Sequence, residues 1–154
     1  MKPIIGIIGG SGLYELEKIK SPKWKKVITP FGKPSSEILE ATFNNIKVFF
    51  LPRHGKNHTV PPHNINYKAN IYAMKKLGVT DIISISAVGS LKNKHKPGDF
   101  VLVNQFIDRT FNRATTFFDE GCVAHVSLAH PVSSQLTKII FKSGSQKIRI
   151  KKNG

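Results

Sequence analysis

The apolar run Ile4-Ile5-Gly6-Ile7-Ile8 is followed at once by Gly9-Gly10-Ser11-Gly12-Leu13, and no other stretch narrows the choice of fold so far. A run of this kind reads as a buried strand of a parallel sheet whose carboxyl end opens into a glycine loop. Such strand ends form the crevice where open α/β sheets bind ligands, and glycines let backbone amides approach an anion. Two readings of the loop stand at this point. One is an oxyanion site at Ser11; the other is a tight turn whose glycines serve only left-handed backbone angles. The spacing is not G-x-G-x-x-G and no Gly-Lys-Ser/Thr follows, so neither a dinucleotide fold nor a Walker-type nucleotide loop is supported.

The chain that follows alternates between strand and helix signals. Tyr14 to Ile28 is a charged connector without firm periodicity, and Thr29-Pro30-Phe31-Gly32-Lys33-Pro34 is a turn. Residues 37–43 and 46–51 are rich in β-formers and flank Asn44-Asn45, which predicts a hairpin. That hairpin runs into Pro52-Arg53-His54-Gly55-Lys56-Asn57-His58. Arg53 offers a planar fork of donors suited to phosphate or carboxylate, and His54 and His58 each offer one more. A solvated basic loop is the plainer alternative. The two histidines have no third partner at metal-ligand spacing, so no metal is expected.

A helix is predicted over residues 67–77, with Ile71, Met74 and Leu77 on one face and Gly78 closing it. Asp81 to Ser90 then forms a second apolar strand with a small, hydroxyl-bearing end. Strand, helix and strand in this order imply a parallel pair, which would bring Ser11 and Ser86 to the same sheet edge. Further on, residues 99–107 read as a strand, 108–120 as irregular, and the segment from Ser133 as a short helix carrying Leu136, Ile139, Ile140 and Phe141. Residues 142–154 hold five basic side chains, no acidic ones and two aliphatics. They are expected to be a disordered or out-of-family tail on a domain that ends at Phe141.

The 154 residues suffice for one ordinary core. A net charge of +15 raises the question of nucleic acid, yet the lysines are scattered without arginine and aromatic interleaving, so nucleic-acid binding is not expected. One cysteine, Cys122, excludes an internal disulfide and suits a reducing compartment. The short, glycine-broken opening run fits neither a signal peptide nor a bilayer span, and a cytoplasmic protein is expected.

Seven blocks together carry a resemblance: Gly9-Gly10-Ser11-Gly12-Leu13, Thr29 to Ser35, Arg53-His54-Gly55 with His58-Thr59, Asn66-Tyr67-Lys68-Ala69-Asn70, Ser86-Ala87-Val88-Gly89-Ser90-Leu91, Pro97-Gly98-Asp99 and Asp108-Arg109-Thr110. In this order across roughly residues 4 to 140, they resemble the amino-terminal half of the S-methyl-5′-thioadenosine phosphorylase branch of the purine nucleoside phosphorylase family. The resemblance implies an α/β fold, a mixed β-sheet flanked by helices, incomplete in this chain. It also implies phosphate-dependent cleavage of methylthioadenosine to adenine and methylthioribose 1-phosphate, without cofactor, in a homotrimer. Carried over by position, Ser11, Arg53, His54, Ser86 and the Ala87 backbone contact phosphate. Ala87 and His58 lie on the substrate side, and His125 reaches a neighbouring subunit's pocket. Family members often carry threonine in place of Ser11 and Ser86, which keeps the hydroxyl.

The family's Asn-Met-Ser/Thr segment and the aspartate that hydrogen-bonds the purine have no counterpart among these residues, so no catalytic residue is assigned. The expectation is a truncated or frameshifted product with little or no activity alone. A non-catalytic phosphate- or nucleotide-binding remnant and a phosphorylase for methylthioinosine or another purine nucleoside are the alternatives.

Overall fold

Strand β1 (Ile5–Gly9) is paired on both sides, which places it deep inside the five-stranded sheet that organises residues up to Ala87. The computed structural model describes residues 2–10, 20–118 and 121–152. The chain divides into two units, Met1–Ala87 and Val88–Gly154.

In the first unit, β2 (Lys20–Lys25), β3 (Ile38–Phe43), β4 (Ile46–Pro52) and β5 (Asp81–Ser84) join β1 in the order β2-β3-β4-β1-β5. The β3/β4 hairpin turns at Asn44 and Asn45, whose φ values of 47° and 62° are the left-handed pair such a two-residue turn requires. Parallel pairing then aligns Gly9 with Pro52 on one side of β1, and Ile8 with Ser84 on the other. The mixed α/β character expected from the sequence is therefore present.

Helix α1 (Tyr67–Lys76) covers one face of this sheet. Asn66 caps its start by accepting from the Ala69 amide at 3.0 Å. At its end the Gly78 and Val79 amides donate to Lys75 O and Met74 O, closing a Schellman motif. The buried side is Ala69, Asn70, Ala73 and Met74, whereas Ile71 is 40% exposed. The predicted Ile71 face is thus displaced, because two alanines let the helix lie close to the strands. Gly6 serves the same approach, since a Cβ there would stand 2.9 Å from Val79 Cγ1 and 3.1 Å from Met74 Sδ.

Ile8, Ile38, Phe49, Leu51, Ala73 and Met74 form the core on this side, while Leu39, Ala41, Val48 and Phe50 are buried on the other face of the sheet. The loop after β2 is tied to the helix by polar contacts rather than packing alone. The Ser35 amide donates to Asn70 Oδ1 at 2.8 Å, Asn70 Nδ2 donates to Ser35 Oγ at 3.0 Å, and Asn66 Nδ2 donates to Phe31 O at 2.6 Å.

Two sequence expectations change here. The connector 14–28 contains edge strand β2, which pairs antiparallel with β3. Its lysines and proline conceal the β pattern, because an edge strand needs no apolar alternation. The predicted strand from Asp81 to Ser90 is shorter, ending at Ser84.

In the second unit, β6 (Phe100–Leu102), helix α2 (Ser134–Gly144) and β7 (Ile150–Lys152) are the regular elements among the described residues. The short helix expected from Ser133 is present, and Ser133 caps it by accepting from the Leu136 amide at 3.2 Å. The strand predicted over 99–107 is reduced to three residues. The segment from Lys142, expected to be a disordered or out-of-family tail, holds the last turn of α2 and then β7, which pairs parallel with β6. Asp99 makes this arrangement tenable. Its side chain is 3% exposed, with Lys151 Nζ at 2.7 Å and Arg149 Nε at 3.1 Å.

Two outcomes are expected. Asn70→Ala strips the 29–35 loop of its buried partner and should lower unfolding free energy by about 1–3 kcal/mol, measured by urea denaturation followed by circular dichroism. The Asp99 carboxyl is held down from its ordinary 3.8 to about 2, chiefly by the Lys151 hydrogen bond and then by the Lys96 amide. A depressed carboxylate stabilises the fold above its unfolded pKa and loses that contribution as pH falls through the folded one. The stability read from the NMR signals of residues 150–152 should therefore fall between about pH 4 and pH 2, more steeply than in Asp99→Asn.

Candidate anion-binding site

The three parallel strands deliver their carboxyl ends side by side, and the site is what emerges from them. β4 stays in register with β1 as far as Pro52, and the next backbone N–H, that of Arg53, donates to Gly9 O at 2.8 Å. On the other side the Ile85 amide donates to Ile8 O at 2.9 Å. Both exits from the sheet are therefore fixed by main-chain bonds, and the Arg53 and Ser86 side chains start from set positions.

They meet. Arg53 Nη1 donates to Ser86 Oγ at 2.7 Å, with a longer 3.4 Å contact to Ile85 O. Arg53 Nε faces His54 Nε2 at 3.4 Å, and the opposite ring nitrogen of His54 lies 2.9 Å from Val60 O. A carbonyl can only accept, so Nδ1 carries the proton and Nε2 presents its lone pair to the guanidinium. No carboxylate neutralises Arg53 among the described residues, and its Nη2 group makes no hydrogen bond there. A charged fork held from two sides, with one arm unengaged among the described residues, is suited to an anion.

The loop geometry behind this depends on Gly55, whose φ is +80° and where a Cβ would stand 3.3 Å from Thr59 Oγ1. The turn folds His58 back so that its ring stacks on His54, with centroids 4.6 Å apart. Lys56 leaves the cluster. It pairs with Glu37 at 3.0 Å and lies 3.5 Å from the centroid of the Trp24 ring.

Of the residues singled out from the sequence, Arg53, His54, His58 and Ser86 are brought together here, and Ala87 follows Ser86 at the same strand exit. Ser11 lies outside the described residues. His125 belongs to the second unit, where it is exposed. Sequence reasoning did not single out the cleft beside Arg53 and Ser86, a space of about 370 Å³ lined also by Ile8, Tyr67, Asn70, Ile71, Ile82 and Ser84. The signal available was that Tyr67 and Ile71 stand one helical turn apart, off the face that packs on the sheet. Among the described residues no group of three or more His, Cys, Asp or Glu side chains could hold a metal ion, and no helix is long and apolar enough to cross a membrane.

With this geometry in hand, comparison with known proteins is decisive. The family profile described as Phosphorylase superfamily matches residues 4–152. The chain belongs to the phosphorylase superfamily. The match runs through the basic segment beyond Phe141. Among curated members, the S-methyl-5′-thioadenosine phosphorylase of Cereibacter sphaeroides is 53% identical over 139 residues, covering 90% of this chain and 48% of that protein. That of Saccharolobus solfataricus is 52% identical over 145 residues, covering 94% and 54%. A methylthioadenosine phosphorylase from an antarctic soil metagenomic library superposes with a TM-score of 0.90 at 42% identity, over 97% of this chain and 53% of that one. The Schistosoma mansoni methylthioadenosine phosphorylase in complex with adenine gives 0.87 at 40% identity, over 95% and 55%. This superfamily member spans about half the length of the curated relatives it matches.

Gly55→Ala should cost about 1–2 kcal/mol, the scale of forcing a side chain into left-handed backbone. The measurement is thermal unfolding by circular dichroism. A melting curve equal to wild type would show that the loop does not need this conformation.

Proposed function

We propose that these residues form the phosphate-holding half of an S-methyl-5′-thioadenosine phosphorylase. The observation that carries the reading is the 2.7 Å contact between Arg53 and Ser86, which joins two strand exits into one cationic, hydroxyl-bearing cradle. The names of relatives at about half identity support the substrate, and the adenine complex of a structural neighbour is consistent with a purine leaving group.

In this reading inorganic phosphate is the co-substrate and no cofactor takes part. Arg53 holds the dianion, with Ser86, Ser11 and the Ala87 amide orienting it and His54 keeping the guanidinium in place. One phosphate oxygen forms a bond to the anomeric carbon while the carbon–nitrogen bond to the base breaks. The electron pair leaves with the base, which takes up a proton. Catalysis then comes from positioning and from placing negative charge against a ribose that becomes positive. The side chain that protonates the departing purine is not among these residues. His125 would serve a neighbouring subunit in a cytoplasmic homotrimer.

Titration calorimetry with inorganic phosphate tests the cradle. Arg53→Ala should lower affinity roughly 10- to 100-fold, the scale of a lost hydrogen bond to a charged group. Equal binding by wild type and variant would overturn the assignment. Assayed alone, the 154-residue chain should turn over methylthioadenosine about 10²- to 10⁴-fold more slowly than a longer relative, the range attached to general-acid catalysis. Phosphate binding with no response to methylthioadenosine, even after the rest of the domain is supplied, would favour a non-catalytic phosphate-binding role.

A further inference from the structure

Lys56 stands in the cationic loop after β4, three residues from Arg53, and its long stem would let its charge reach an anion held there. Instead it is engaged by two other elements. Its ammonium pairs with Glu37 Oε2 at 3.0 Å and lies 3.5 Å from the centroid of the Trp24 ring. Both partners are well anchored. Trp24 stands opposite Leu39 in the β2/β3 pairing, and Glu37 directly precedes β3. Two residues before Glu37, Ser35 is tied to Asn70 of α1 through both its amide and its hydroxyl.

The loop is anchored less firmly. Its main-chain bonds close largely within it: Gly55 donates to Pro52 O at 3.0 Å, His58 to Gly55 O at 3.2 Å and Val60 to His54 O at 2.9 Å. Such bonds fix the curl of a loop and leave its placement against the sheet to side chains. The Arg53 amide is set by its bond to Gly9 O, but the guanidinium is also met by the His54 ring, which takes its own place from Val60 at the far end of the loop. Lys56 lies between the two. Where it sits, the loop sits.

We propose that Lys56 is a positioning residue for the anion site: gripped by Glu37 and Trp24, it holds residues 53–60, and with them His54, where the Arg53 fork is aimed at an anion. The inference rests on the reading of Arg53 and Ser86 as a phosphate cradle. An anion binds in proportion to the fraction of molecules whose loop is so placed. Loosening the clamp therefore lowers affinity by no more than the factor the clamp supplies. A half-exposed ion pair and a cation–π contact are each worth a factor of up to about five in an equilibrium.

Lys56 could instead act on an anion by charge alone, and Glu37 separates the two cases. Removing a carboxylate makes the region more positive, which by Coulomb attraction strengthens the binding of a dianion. Removing it as one jaw of the clamp weakens binding. The signs are opposite.

The experiment is calorimetric titration of the full chain with inorganic phosphate at low ionic strength, beside amide hydrogen exchange of residues 54–60 followed by NMR. Lys56→Met should weaken phosphate binding about 3- to 20-fold and Glu37→Gln about 2- to 5-fold, each with faster exchange at the Val60 amide. Lys56→Arg, which keeps the charge and stacks on aromatic faces, should stay within about twofold of wild type. Glu37→Gln binding as tightly as wild type, or more tightly, overturns the proposal. So does Lys56→Met with unchanged affinity, or Val60 exchange unchanged in both variants. Equal phosphate binding by wild type and Arg53→Ala overturns the cradle rather than the clamp; faster Val60 exchange in Lys56→Met and Glu37→Gln then upholds the clamp, and unchanged exchange removes it as well.

Discussion

Parallel pairing of β1 with β4 and β5 is the constraint from which the rest follows. A strand held on both sides has no freedom of register, because a shift of one residue would turn its apolar side chains to the wrong face. Once Gly9 is opposite Pro52 and Ile8 opposite Ser84, the chain has no choice about where Arg53 and Ser86 begin. Residues 33 positions apart are brought within hydrogen-bond distance by backbone pairing alone. The side chains then need only short reach, and the glycine after His54 curls the loop so that a histidine buttresses the guanidinium.

Charge is distributed with the same economy. The chain has 24 basic and 9 acidic side chains, a net charge of +15, so solvation must satisfy much of its positive charge. Two carboxylates each hold a pair of basic side chains. Glu40 on β3 pairs with Lys25 on β2 and with Lys47 on β4, the latter at 2.9 Å, and those two hydrogen bonds hold its pKa below the usual value. Asp99 does the same for Arg149 and Lys151. Arg53, by contrast, has no carboxylate partner among the described residues and stands at the carboxyl end of the parallel strands.

Local signals were legible. The Asn44-Asn45 turn and the Gly78 stop each act within a few residues, so the β3/β4 hairpin and α1 could be read from the chain. What escaped depends on distant partners. β2 resembles a connector because it is an edge strand whose protective lysines and proline erase the alternation. β7 resembles a tail because the carboxylate that neutralises it stands about 50 residues earlier, at Asp99. Ile71 was placed on the packed face of α1 by its three-residue spacing from Met74, yet Ala69 and Ala73 make the closer surface. In the site, the cationic loop and Ser86 were apparent as strand-end chemistry. The apolar wall of the cleft was not, since Tyr67, Ile71 and Ile82 look like ordinary core residues until it is known that nothing among the described residues buries them fully.

The placement of Lys56 over the chain's single tryptophan has an optical consequence. An ammonium 3.5 Å from an indole centroid biases the excited state of the ring, and Lys56 is three residues from the arginine of the anion cradle. Any rearrangement of that loop moves the cation relative to the chromophore. Trp24 emission is thus an intrinsic, label-free gauge of where Lys56 stands.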